Sequence, residues 1–314
     1  MGITMKLTVG TRGSNLSLAQ TDMVIQKLKE KIPDLEIEVK VIKTTGDRIT
    51  RKPLLLIKEK GIFEKDIDKA VLRKEVDFAV HSMKDVPTIQ PPKTIIVAVP
   101  EREPPYDTLV SRKGLRLKDL PSGTIVRTGS PRRTAQLHYV RPDLRAESIR
   151  GNVDTRVRKL KQGLYDALIL AEAGLQRLNM QDNITERLLL EDFTPAPGQG
   201  ALAVVAREDN KRVNEVLKLV NHWPSMAAVL AERAFVRKIG GGCKVPLGAI
   251  AQVKNGALSL YASVLSPDGK TKIQTSKVGD LTSPEELGLK VAQEILTLGA
   301  GNIIQRWRDS HEKG

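Results

Sequence analysis

The sequence predicts an α/β protein of three units, two α/β units in series followed by a third built on an antiparallel sheet. Three observations predict it. Strand and helix signals alternate through the first hundred residues. The same alternation restarts between two proline-rich stretches, "PEREPPYD" at 100–107 and "FTPAPGQG" at 193–200. Beyond about residue 220, strands follow one another through hairpin turn signals. The length of 314 residues agrees, because about 150 residues per domain allows two or three.

In the first unit "MKLTVG" reads as a strand, 14–30 as an amphipathic helix ended before Pro33, and "EIEVKVIKT" as a strand. A helix over 61–74 and the strand "VDFAVHS" follow. Strands separated by helices imply a largely parallel sheet with helical crossovers. The second unit runs "GTIVRTGS" strand, helix 132–139, "AESIRG" strand, helix 152–162 and "DALILA" strand. In the third, a helix over 225–238 leads into the loop "GGGCKVPLG". Strands punctuated by Asn255-Gly256 and Pro267-Asp268-Gly269 come next, then an amphipathic helix over 284–298 and a short polar tail.

Composition excludes some functions. No apolar run approaches the roughly 18 residues that span a membrane, and "MGITMKLTVGTRG" has no apolar leader segment, so the cytoplasm is the expected location. One cysteine makes neither an internal disulfide nor a thiolate metal cluster. Four scattered histidines, His81 included, offer no ligand spacing, so no metal is expected. The formal charge of +14 calls for a polyanionic partner: nucleic acid, membrane surface or an acidic small molecule. Aromatics at 3% leave few platforms for stacking bases, and no helix-turn-helix or zinc pattern appears, which argues against nucleic acid.

Three stretches carry chemistry. The thiol of Cys243 stands behind Gly240, Gly241 and Gly242, with no side chains to pack around it, so the loop looks made for access. "DFAVHSMKDVP" delivers Lys84 and Asp85 to the C-terminal end of an apolar strand, the edge where open α/β sheets place their chemistry; a surface ion pair is the alternative. "RGNVDTR" sets Arg150 and Arg156 around a helix start, either as forks for carboxylates or as a basic helix face. The unit openings also repeat: "VGTRGSNLSLAQ" and "VRTGSPRRTAQL" each run from a strand through Thr, Gly and Ser into a helix bearing Ala-Gln. Ser14 and Ser130 are N-caps, or, with Arg12, Arg132 and Arg133 beside them, paired anion sites.

"HSMKDVP", Gly129-Ser130-Pro131-Arg132-Arg133, "RGNVDTR", "PAPGQGA" and "GGGCKVPLG" stand in the order and spacing of the porphobilinogen deaminase family, which the chain resembles from about residue 5 to the final helix. The resemblance implies three domains, at 1–100 with 201–219, 101–200 and 220–314. The first two are similar to type II periplasmic binding proteins with a cleft between them, and the third is α+β with an antiparallel sheet. It implies a transferase that deaminates porphobilinogen and adds four copies in turn to a dipyrromethane cofactor held by a thioether. Water then releases hydroxymethylbilane.

By that resemblance Cys243 is the anchor and Asp85 the catalytic carboxylate that stabilises positive charge on the pyrroles. Lys84, Asp85, Ser130, Arg132, Arg133 and Arg150 contact the cofactor. Arg12, Ser14, Lys60, Phe63, Arg150, Arg156, Arg177 and Gln199 contact substrate. Every pyrrole carries an acetate and a propionate, which accounts for the arginines. Two departures stand out. Lys58 and Glu59 replace a glycine pair common in the family, implying a stiffer loop, and Lys244 replaces a common Gln, adding charge that lowers the thiol pKa. A monomer without nucleic-acid or membrane partners is expected. The competing reading is a solute-binding receptor, which leaves Cys243 unexplained.

Overall fold

The computed structural model describes residues 5–44, 65–240 and 245–312, the side chains to residue 308. It divides into two compact units, Met1–Glu103 with Ala201–Met226, and Pro104–Gly200 with Ala227–Gly314.

The first unit opens β1 (Lys6–Thr11), α1 (Asn15–Lys31), β2 (Glu36–Val41), α2 (Lys65–Leu72), β3 (Phe78–Ser82) and β4 (Thr94–Ala98). Strand β10 (Leu202–Arg207) returns late in the chain to complete the sheet β2-β1-β3-β10-β4. β1 lies parallel to β2 and β3, whereas β10 runs antiparallel to β3 and β4. α1 forms because Val24, Ile25 and Leu28 make one apolar stripe, buried against Leu7, Val9, Phe78 and Val204 of the sheet. It stops where Pro33 could not continue it.

The second unit contains β5 (Asp107–Ser111), β6 (Ile125–Arg127), α3 (Pro131–Val140), β7 (Arg145–Glu147), α4 (Val153–Lys161), β8 (Ala167–Ala171), α5 (Glu172–Gln176) and β9 (Glu186–Arg187). Its sheet order, β7-β6-β8-β5-β9, repeats the first sheet's scheme, with β5 in the place of β10 and antiparallel to β8. The sheets are largely parallel, as expected: four strands of each run in one direction, and β10 in the first and β5 in the second run antiparallel to both of their neighbours.

α6 (Lys211–Lys218) belongs to the first unit, and α7 (Trp223–Ile239) leads into the remainder of the second. There β11 (Leu247–Lys254), β12 (Ala257–Leu265) and β13 (Lys272–Asp280) form an antiparallel meander. Asn255 and Gly256 both take positive φ in the two-residue turn between β11 and β12, as the Asn-Gly signal requires. Helices α8 (Pro284–Ile295) and α9 (Gly301–Glu312) cover the sheet with α7, sharing Phe235, Leu260, Val291 and Trp307 in one core. The tail expected to be polar and short is thus a helix. Gly299, at φ 102, ends α8's run through a π turn, and Ile303, Ile304 and Trp307 then recur at helical spacing and are buried.

Candidate functional site

In the first unit β1 and β3 are parallel neighbours, so their C-terminal ends lie on one sheet edge. Ser14 caps α1: its Oγ accepts from Ser17 N at 3.2 Å and lies 2.8 Å from Ser17 Oγ. The first turn of α1 holds no acidic residue, so the positive end of the helix keeps its field. Arg12, partly buried, stands between the strand end and the cap. From α1 the buried Gln20 donates Nε2 to Ser82 Oγ at 2.8 Å, tying this helix to the end of β3. A single 3-10 turn, Met83–Asp85, follows: Met83 is buried, Lys84 partly buried and Asp85 exposed. Among the described residues the Asp85 side chain makes no hydrogen bond or ion pair. His81 points the other way, its Nε2 3.0 Å from Asp68 Oδ1 of α2, both buried.

The second unit gathers its cations around a carboxylate. Ser130 caps α3, its Oγ accepting from Arg133 N at 3.4 Å, and again no acid occupies the first turn. A Cβ on Gly129 would stand 2.9 Å from Ile149 O, so this turn lies against the segment carrying Arg150. Arg132 and Arg133 are buried, with Asp107 of β5 wholly buried between them. Arg132 Nη1 donates to Asp107 Oδ2 at 2.7 Å, Gln136 Oε1 at 2.8 Å and Thr194 O at 2.6 Å. Arg133 donates from Nε (3.0 Å) and Nη2 (2.7 Å) to Asp107 Oδ1, and from Nη1 to Ile169 O at 3.1 Å. Gln199, buried, donates to Asp107 Oδ1 at 2.8 Å and Pro105 O at 2.7 Å, while accepting from Arg133 Nη2 at 3.3 Å.

The electrostatics follow from that geometry. Burial by itself would raise the Asp107 pKa, but the Arg132 and Arg133 guanidiniums outweigh it and hold the carboxyl well below the usual carboxylate range. Burial lowers the Arg132 pKa, Asp107 raises it and Arg133 lowers it again. Two guanidiniums share one carboxylate, so the cluster keeps one excess positive charge. Arg156, partly buried, donates Nε to Gly151 O at 2.8 Å. Its pKa is lowered by burial and by the charge of Arg133; Tyr165 is its other acting neighbour, and neither is a carboxylate. Arg177 donates Nη2 to Gly200 O at 2.7 Å. The donor set is guanidiniums, cap N–H groups and hydroxyls, which is the chemistry that holds a chain of carboxylates.

Cys243, Lys244, Lys58, Glu59, Lys60 and Phe63 lie outside the described residues. Among the described residues no group of His, Cys, Asp and Glu is arranged to hold a metal, and no helix is long and apolar enough to cross a membrane.

The sequence reading does not reach four residues that shape the site: Asp107, Gln136, Thr194 and Glu232. Glu232, wholly buried in α7, accepts from Gly198 N at 2.6 Å and Ala251 N at 2.8 Å, and so anchors the turn that carries Gln199. Thr194 is gripped from β11 and β12: Ser263 Oγ donates to its Oγ1 at 2.8 Å, and a Cβ on Gly248 would overlap it. A signal for two of them exists in the sequence. Asp107 opens the apolar run "DTLVS" and Glu232 interrupts "AAVLAERAFV", and an acid inside an apolar run needs a buried partner.

Comparison with known proteins gives the family. A family model described as "Porphobilinogen deaminase, dipyromethane cofactor binding domain" matches residues 7–215, and one described as "Porphobilinogen deaminase, C-terminal domain" matches 226–297. A porphobilinogen deaminase of Desulforudis audaxviator is 46% identical over 303 residues, covering 96% of this chain and 98% of that one. One from Thermus thermophilus is 45% identical, covering 96% and 99%. A probable porphobilinogen deaminase of Nitrosopumilus maritimus is 42% identical, covering 98% and 99%. With matches of this extent and identity, the chain belongs to the porphobilinogen deaminase family.

Proposed function

We propose that this transferase, which deaminates four porphobilinogens and joins them head to tail on a dipyrromethane primer to yield hydroxymethylbilane for tetrapyrrole synthesis, uses Asp85 as its catalytic carboxylate and Cys243 as the primer's anchor. The observation that carries the reading is the exposed Asp85 carboxylate on the same sheet edge as Arg12 and the Ser14 cap. The bound dipyrromethane supplies the free pyrrole α-carbon to which the first substrate ring is joined.

The chain's own residues do the rest. As porphobilinogen loses its amine as ammonia, positive charge spreads into the ring and its N–H becomes a stronger donor; Asp85 accepts from it and stabilises that charge. Lys84, Ser130, Arg132, Arg133 and Arg150 hold the primer's acetates and propionates. Arg12, Ser14, Arg156 and Arg177 hold those of the incoming and growing chain, Lys60 and Phe63 contact substrate as well, and Gln199 serves the site through its bonds to Asp107 and Arg133. Carboxylates bound by fixed forks keep the reacting carbons in register, which converts an encounter in solution into a step within one complex. A single cysteine forms no internal disulfide and fits a reducing compartment; a cytoplasmic monomer is the reading, checked by cell fractionation and size-exclusion chromatography.

The deciding test is the intact mass of the purified protein before and after limiting porphobilinogen. A two-pyrrole excess that vanishes in Cys243→Ser, and a ladder of further steps on mixing, are expected. A bare polypeptide mass with no ladder overturns the reading.

A further inference from the structure

Asp107 stands where no ligand contact is assigned, yet the arginine cluster is organised around it. Its Oδ1 accepts from Arg133 Nε and Nη2 and from Gln199 Nε2, its Oδ2 from Arg132 Nη1, all within 3.0 Å. Arg133 spends all three guanidinium nitrogens on Asp107, Ile169 O and Gln199. Arg132 bonds within this network only through Nη1, which leaves Nε and Nη2 outside it. We propose that Asp107 is a positioning residue: it locks the two guanidinium planes at the start of α3 so that their one excess charge meets the carboxylates of primer and growing chain in a single geometry. The proposal rests on the ligand-binding roles given above to Arg132 and Arg133.

A planar guanidinium recognises a carboxylate through paired, directional N–H groups, so a rotated fork loses affinity even where the total charge is unchanged. Without Asp107 two like charges would share a buried space and turn away from each other. Gln136 and Gln199 continue the same lock with neutral amides. Gln136 accepts from Arg132 and donates Nε2 to Thr194 O at 2.9 Å, and Gln199 is held by Pro105 O.

The substitution Asp107→Asn separates positioning from attraction by sign. The amide keeps the shape and adds one unit of positive charge. Attraction alone predicts a lower KM for porphobilinogen and fuller loading with primer. Positioning predicts a KM raised about tenfold or more, together with a smaller primer-bearing fraction and a ladder stalled at short chains by intact mass. A purely structural role moves only the melting temperature. Holoenzyme purified from cells is used for wild type and variant. An unchanged or lowered KM with a normal ladder overturns the proposal. Should Asp107→Asn fail to fold, Gln136→Leu removes one arm of the lock at constant charge; about threefold higher KM with early stalling is expected, and wild-type values overturn the proposal. Wild-type protein without primer mass or turnover defeats the functional reading itself, and the role of Asp107 falls with it. Wild-type loading with an indifferent variant defeats the role of Asp107 alone.

Discussion

Asp85 and Asp107 carry the same carboxyl group into opposite settings. Asp85 is exposed and makes no side-chain hydrogen bond or ion pair among the described residues, so its replacement costs the fold little. Asp85→Ala is expected to lower turnover by about 10² or more, with a melting temperature within about 2 °C of wild type. Steady-state rates and calorimetry check both; turnover within a few-fold of wild type would remove Asp85 from its role. Asp107 behaves otherwise, because breaking a buried ion pair costs about 3–5 kcal/mol. Its pKa is held low in the folded state, so its contribution is fully present above the unfolded carboxyl pKa, about 3.9, and is lost as pH falls below that toward the folded value. The stability gap between wild type and Asp107→Asn should therefore be constant from pH 7 to 5 and shrink below pH 4. Urea unfolding across that range measures it, and a gap that widens on acidification would contradict the assignment.

At the scale of elements, α1 and α4 read well from sequence because their signals are local, whereas α9, whose buried face is only Ile303, Ile304 and Trp307 in a polar segment, does not. The helix expected at 14–30 is Asn15–Lys31, and that at 152–162 is Val153–Lys161, since apolar spacing and caps lie within each segment. The antiparallel strands β5 and β10 do not read that way, because their partners are chosen by connections far along the chain. The site divides similarly. Motif residues such as Asp85 and Arg132 are visible as local patterns, whereas the network binding Arg132 to Asp107, Gln136 and Thr194 joins positions up to 62 residues apart. Thr194 shows how an element reaches the site. β11 passes it at Gly248, where an added Cβ would lie 2.5 Å from Thr194 O, the acceptor of Arg132 and Gln136. Gly248→Ala should cost about 1–3 kcal/mol through overpacking and also slow primer loading, because the carbonyl must move. Loss of stability with loading unchanged would show that strand and arginine cluster are uncoupled.

On the scale of the whole molecule the formal charge of +14 has a consequence for rate. Every ring brings two carboxylates, and the amine that offsets one of them leaves as ammonia, so each addition lowers the protein's net charge. The attraction that draws in porphobilinogen weakens as the bound chain grows, while the direct arginine contacts do not. Long-range attraction is screened beyond about 8–10 Å at physiological salt, whereas partly buried forks such as Arg156 and the Arg132–Arg133 pair are screened much less. Raising salt from about 0.05 to 0.5 M should therefore lower kcat/KM several-fold through KM, with kcat nearly constant. The early steps of the ladder should be the more sensitive, because they start from the larger net charge. Quenched-flow mass spectrometry at the two salt concentrations resolves the steps. A salt effect equal at every step would place the attraction in the fixed forks alone and leave the surface charge of the molecule without a part in capture.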